Sequence, residues 1–124
     1  MTPFETLRID KSRKVEAPDG SDVHVLLALK GGSMARFHLP AGKASKAVVH
    51  RTVDEIWYVM SGRGEMWRRQ GEREEVVALE PGVCVTVPVG TKFQFRSSEP
   101  LSAVAVTMPP WPGAHEAELV PGKW

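Results

Sequence analysis

Glycine and proline punctuate this chain at roughly ten-residue intervals, and that spacing limits its fold more than any other feature. The 124 residues include 11 glycines and 10 prolines. They fall between short apolar runs, at Pro18-Asp19-Gly20, Gly31-Gly32, Pro40-Ala41-Gly42, Gly62-Arg63-Gly64, Pro81-Gly82 and Pro88-Val89-Gly90. Long helices cannot run through such breaks, because proline removes a backbone donor and glycine costs backbone entropy. Short strands joined by turns can.

The intervening runs fit strands. Asp22 to Lys30 is β-branched and apolar. Ser33 to Leu39 alternates, with Met34, Arg36 and His38 on one face and Ala35, Phe37 and Leu39 on the other. Glu55 to Met60 and Glu65 to Gln70 flank Ser61-Gly62-Arg63-Gly64, a hairpin signature. Glu74 to Leu79, Val83 to Val87, Lys92 to Arg96 and Leu101 to Met108 complete the set. No window keeps a helical apolar period. The expectation is an all-β sandwich or barrel forming a single domain. Its core covers about residues 22–108, between an N-terminal arm (1–21) and a proline-rich tail (109–124). Pro109, Pro110, Pro112 and Pro121 bar the tail from a central strand. It is expected to wrap the outside, either closing the barrel mouth with Trp111 or covering a sheet edge.

Charge and composition exclude several functions. There are 16 lysines and arginines against 15 acidic residues, which gives no electrostatic reason to expect nucleic acid. Apolar stretches such as Val25 to Leu29 fall far short of the ~20 residues of a membrane-spanning helix. Cys84 is the sole cysteine, so no intrachain disulfide or cysteine-based metal site can form. It lies in an apolar run with no cation beside it and is expected to be a buried, inert thiol. Met1 to Lys14 is charged and lacks the apolar core of a secretory signal, so a cytoplasmic location is the default.

The informative constellation lies between Gly42 and Gly62. It reads Gly42, five residues, Val48-Val49-His50, four residues, Glu55, six residues, Gly62. A second reads Gly82, five residues, Pro88-Val89-Gly90, two residues, Phe93, and closes at Ser97. Together they resemble the two motifs of the cupin superfamily, in its small single-domain form, over about residues 22–108. The first motif has the form Gly-x5-His-x-His-x3/4-Glu-x6-Gly and the second Gly-x5-Pro-x-Gly-x2-His-x3-Asn. The stretch from His50 to Gly64 is typical of such proteins, and each glycine and proline of the pattern falls in place. The resemblance implies a double-stranded β-helix, or jelly-roll barrel. It also implies a site in which imidazoles and a carboxylate converge on one point, as suits a divalent transition metal.

The chain departs from the pattern where the chemistry sits. The four implied ligand positions hold Val48, His50, Glu55 and Phe93, so two of the four are apolar. One imidazole and one carboxylate make a weak site unless a further ligand arrives, and His38 and His24 are the inward candidates. No cofactor is therefore expected. If a transition metal binds, His50 and Glu55 hold it. Without a metal, His50 and Glu55 either pair with each other as buried polar groups, act as an acid–base pair, or hydrogen-bond a ligand. Trp57 shares strand parity with Glu55, Phe93 fills a ligand position, and Arg36 and His38 are candidates for the barrel mouth. Arg96 has the opposite parity to Phe93 and is expected outside.

The leading expectation is a small-molecule-binding cupin with a degenerate metal site. It would hold a sugar or small organic acid through His50, Glu55, Trp57, Phe93, Arg36, His38 and Trp111. The alternatives are an isomerase-, epimerase- or lyase-like enzyme using His50 and Glu55, and a barrel that serves only to dimerise. A homodimer is the family-level expectation, with no nucleic-acid or membrane partner.

Overall fold

The computed structural model describes residues 1–124. It contains eleven strands and no α-helix. Each of the eight expected runs forms a strand: β2 (Asp22–Leu29), β3 (Gly32–Leu39), β5 (Asp54–Ser61), β6 (Gly64–Gln70), β7 (Arg73–Leu79), β8 (Cys84–Val87), β9 (Lys92–Ser97) and β10 (Leu101–Met108). Three short strands join them: β1 (Arg13–Glu16), β4 (Val48–His50) and β11 (Ala117–Leu119).

The strands make two antiparallel sheets. One runs in the order β1-β2-β3-β10-β5-β8 and the other β11-β4-β9-β6-β7. Alternation decides what each strand buries. On β5, Glu55, Trp57 and Val59 point inward and Ile56, Tyr58 and Met60 outward. On β10, Leu101, Ala103, Ala105 and Thr107 are the buried set.

Between the sheets lies a core built on Trp57, Phe95, Met66, Leu79, Leu101 and Val59. Burying side chains of this size contributes about 1.5–3 kcal/mol each. Trp57 anchors the aromatic part: its ring stacks on Phe37 at 4.8 Å and meets Phe95 edge-on at 4.9 Å. Such pairs add about 0.5–1.5 kcal/mol beyond area burial.

Gly62 turns the β5–β6 hairpin at φ +86°, where an added Cβ would overlap the Pro100 carbonyl oxygen. No other residue fits there.

The first and last strands are paired into the sheets. β1 pairs with β2, and β11 pairs with β4 at the edge of its sheet. At the extreme C-terminus, the buried Gln94 accepts hydrogen bonds from the N–H groups of Lys123 and Trp124. Cys84 departs from expectation: it is exposed, because Val85 and Val87 take the inward positions of β8.

Candidate ligand-binding site

A cavity of about 420 Å³ lies between the sheets at one end of the barrel. β2 and β3 contribute Val23, Val25, Ala35 and Phe37, β10 contributes Ala105 and Thr107, and β4 and β9 contribute Val48, His50 and Phe93. Glu55 of β5 and Asp19, from the arm, join His50 as the buried ionisable groups of the lining. Most of the wall is apolar, with a few convergent polar groups, which is the usual make-up of a small-molecule site.

His50 and Glu55 are nearly inaccessible, at 5% and 2% exposure. His50 Nδ1 and Glu55 Oε2 stand 3.7 Å apart. That is within ion-pair distance, but too long for a hydrogen bond. Burial decides their charge. It pushes the Glu55 carboxyl up to about 8, the Trp57 indole opposing and Asp19 adding to the effect. It holds the His50 imidazole down at about 4, despite the nearby Glu116 carboxylate. Both groups are therefore neutral near pH 7, and the contact is not an ion pair. Trp57 Nε1 donates to Glu55 Oε1 and fixes the carboxyl, leaving Oε2 and His50 Nδ1 without a protein partner.

The tail closes one side. The Trp111 ring meets the His50 ring edge-on at 5.1 Å. The Trp111 backbone N–H donates to Ser33 Oγ at 2.9 Å, and Ser33 Oγ bonds Thr107 Oγ1 at 2.5 Å. Farther along, the buried Glu116 carboxylate accepts hydrogen bonds from Thr52 N–H, Thr52 Oγ1 and Val53 N–H. Burial alone would raise its pKa, but the bonds from Thr52 and Val53 bring it below the usual carboxylate value. Glu116 thus pins the loop between His50 and Glu55. Within the tail, β11 pairs with β4 at a sheet edge, and Trp111 borders the cavity.

Some expected site residues lie elsewhere. Arg36 and His38 share a face, and it is the outer one; Ala35, Phe37 and Leu39 point inward because their apolar side chains are the ones the barrel buries. His38 Nδ1 bonds Ser102 Oγ and His24 Nδ1 bonds Ser12 Oγ, each at 3.0 Å. Neither imidazole lines the cavity. Trp57 points inward but lies wholly in the core behind Glu55, and it reaches the cavity only through that carboxyl. Arg96 is outside, bonded to Glu65. Sequence reasoning missed Asp19, which sits in a Pro-Asp-Gly turn, and Glu116, whose tail segment carries no motif.

A model of the cupin domain matches residues 35–107. The chain belongs to the cupin family. No curated protein matches it. Among solved structures, a variant of Pac13 from Streptomyces with uridine is 16% identical, over 96% of this chain and 92% of that one, with a TM-score of 0.78. Pac13 is described as a nucleoside dehydratase. Ectoine synthase from P. lautus is 18% identical, over 98% and 93% of the two chains, with a TM-score of 0.75. A Klebsiella pneumoniae protein with a double-stranded β-helix domain is 20% identical, over 97% and 100%, with a TM-score of 0.72. At these identities the likeness is one of fold, and it makes this cupin a double-stranded β-helix.

The donor set of this cupin does not fit a metal centre of the family pattern. Val48 and Phe93 offer no donor atom, His24 and His38 are engaged on the outer face, and no three His, Cys, Asp or Glu side chains come together to hold an ion.

Proposed function

We propose that this cupin binds a polar small molecule in its barrel, with His50 and Glu55 as the hydrogen-bonding end and Phe93, Phe37 and Trp111 around the apolar body. One observation carries the reading. His50 and Glu55 line a cavity of about 420 Å³, and one buried polar atom of each, Nδ1 and Oε2, has no protein partner. If the pair served only to satisfy each other, a hydrogen bond between them would be expected, and 3.7 Å is not one. Leaving a buried polar group unsatisfied costs about 1–3 kcal/mol. A ligand carrying a hydroxyl, amide or amine recovers that cost. A sugar fits this description better than the small organic acid also expected from the sequence, since the deep wall carries carboxyls and no arginine or lysine. The test is a thermal-shift screen of sugars and small polar compounds, repeated on His50→Gln. Hits that stabilise the native protein and not the variant support the reading.

A second reading is favoured by the protonation pattern. A protonated Glu55 can donate a proton and a neutral His50 can accept one, 3.7 Å apart. That is the equipment of an acid–base isomerase, epimerase or lyase. The structural neighbours include a nucleoside dehydratase and an ectoine synthase, so the fold hosts enzymes, but fold alone does not assign catalysis here.

We also propose that two copies pair through the outer face of the six-stranded sheet. Ile56, Tyr58 and Met60 are exposed there in one row, alongside Val104 and Val106 of the neighbouring strand. Isologous pairing of such a face buries apolar side chains against their own counterparts.

A further inference from the structure

Charge is unevenly distributed around the cavity. Arg13 and Glu16 stand exposed on its lining and offset each other. Deeper in, Asp19, His50 and Glu55 are 5%, 5% and 2% exposed, and no lysine or arginine accompanies them. Asp19 is a built part of this wall. Its Oδ1 accepts hydrogen bonds from Ser21 N–H at 2.9 Å and Ser21 Oγ at 2.6 Å, and its carbonyl oxygen accepts one from Lys46 N–H. The Lys46 side chain is exposed and does not line the cavity. Glu55 Oε2 is buried on the same wall with no protein partner.

We propose that the hydrogen-bonding end of the ligand is a protonated amine, held by Asp19 and Glu55, with Trp111 and Phe93 against its apolar body. This rests on the pocket reading above and names the ligand class. An anionic ligand finds no lysine or arginine on this part of the wall, since Lys46, whose charge reaches Asp19, is itself exposed and off the lining. A neutral hydroxyl satisfies His50 and Glu55 but leaves the second carboxyl unused. An ammonium group donates three hydrogen bonds, restores the ionised form of the carboxyls, and finds the negative faces of the aromatic rings. Burial is the first cause of the raised pKa values of both Asp19 and Glu55.

The experiment is calorimetric titration at pH 7 with two shape-matched trios: benzylamine, benzyl alcohol and benzoate, and their cyclohexyl counterparts. The expected result is amine binding about tenfold or more tighter than alcohol, with the carboxylate weakest. Asp19→Asn, which keeps an oxygen acceptor for Ser21, should bring the amine to within about threefold of the alcohol. Should that variant fail to fold, the order of affinities in the native protein decides alone. Alcohol or carboxylate binding as tightly as the amine overturns the inference and leaves the pocket reading standing. Absence of binding by all six probes overturns the inference, and the screen of sugars and polar compounds then decides the pocket reading by itself.

Discussion

Trp57 Nε1 donates its hydrogen bond to Glu55 Oε1, two residues earlier on the same strand, and leaves the other carboxyl oxygen buried without a protein partner. A residue in the middle of the hydrophobic core thereby sets the orientation of the site's acid. Trp57→Phe keeps most of the packing and removes that donor. We expect it to fold, to lower ligand affinity through a mobile Glu55, and to raise the Glu55 pKa further, since the indole bond favours the ionised form. Titration of the Glu55 carboxyl by carbon-13 NMR checks this, and an unchanged midpoint contradicts it.

The pH dependence of stability follows from the same groups. The folded-state value for Glu55 is raised to about 8 from 4.5, so its contribution is fully present below 4.5 and is lost as pH rises through 8. The value for His50 is lowered to about 4 from 6.5, so its contribution is present above 6.5 and is lost as pH falls through 4. The two oppose each other between 4.5 and 6.5, and Glu55 dominates above that. Unfolding free energy should fall by up to about 2 kcal/mol between pH 6.5 and 8. Glu55→Gln should flatten that limb in urea unfolding; an equally steep limb in the variant contradicts the assignment.

Glu116 is predicted to matter for folding and for the site together. Glu116→Ala removes three hydrogen bonds and leaves the N–H groups of Thr52 and Val53 unpaired, at a cost of about 2–4 kcal/mol. Its pKa is depressed, so the contribution holds above the ordinary carboxylate value and disappears as pH falls below it. Comparative denaturant melts at pH 7 and pH 3.5 check this: the variant's deficit should shrink at the lower pH.

Restoring the lost donors tests the register of the site. Val48 and Phe93 are paired across β4 and β9, so Val48→His with Phe93→His places two imidazoles side by side near His50 and Glu55. The double variant should take up about one divalent cobalt or nickel ion per chain, read by elemental analysis. A folded variant that takes up none means that positions 48 and 93 are not the ligand positions.

The outer face makes a separate prediction. Tyr58 is 49% exposed in the middle of the apolar row, and Tyr58→Glu should convert a dimer to a monomer with little change in melting of the isolated chain. Sedimentation measures it, and a native protein that is monomeric at high concentration removes the pairing proposal.

Much of the fold was legible because glycine and proline mark nearly every turn, and each run between them became a strand. The three short strands were not, since three or four residues carry no readable alternation and form only by pairing with a neighbour. For the site, parity gave the direction of a side chain but not its depth. Glu55 and Trp57 both point inward, yet one lines the cavity and the other fills the core. On β3 the alternation was visible, but the apolar set of Phe37 and Leu39 should have been read as the inward one, which sends Arg36 and His38 outside. The same reading of β8 places Cys84 outside, opposite Val85 and Val87. Asp19 had no sequence signal, because a Pro-Asp-Gly turn is an ordinary place for an aspartate.

The most direct test of the central claim is ligand-observed NMR of a mixed library of sugars, amines and other small polar compounds, run in parallel on the native protein and on a His50→Gln, Glu55→Gln double variant. The account predicts compounds that bind the native barrel and lose at least about tenfold in affinity to the folded double variant. Compounds that bind both proteins equally, or a native protein that binds none, would contradict it.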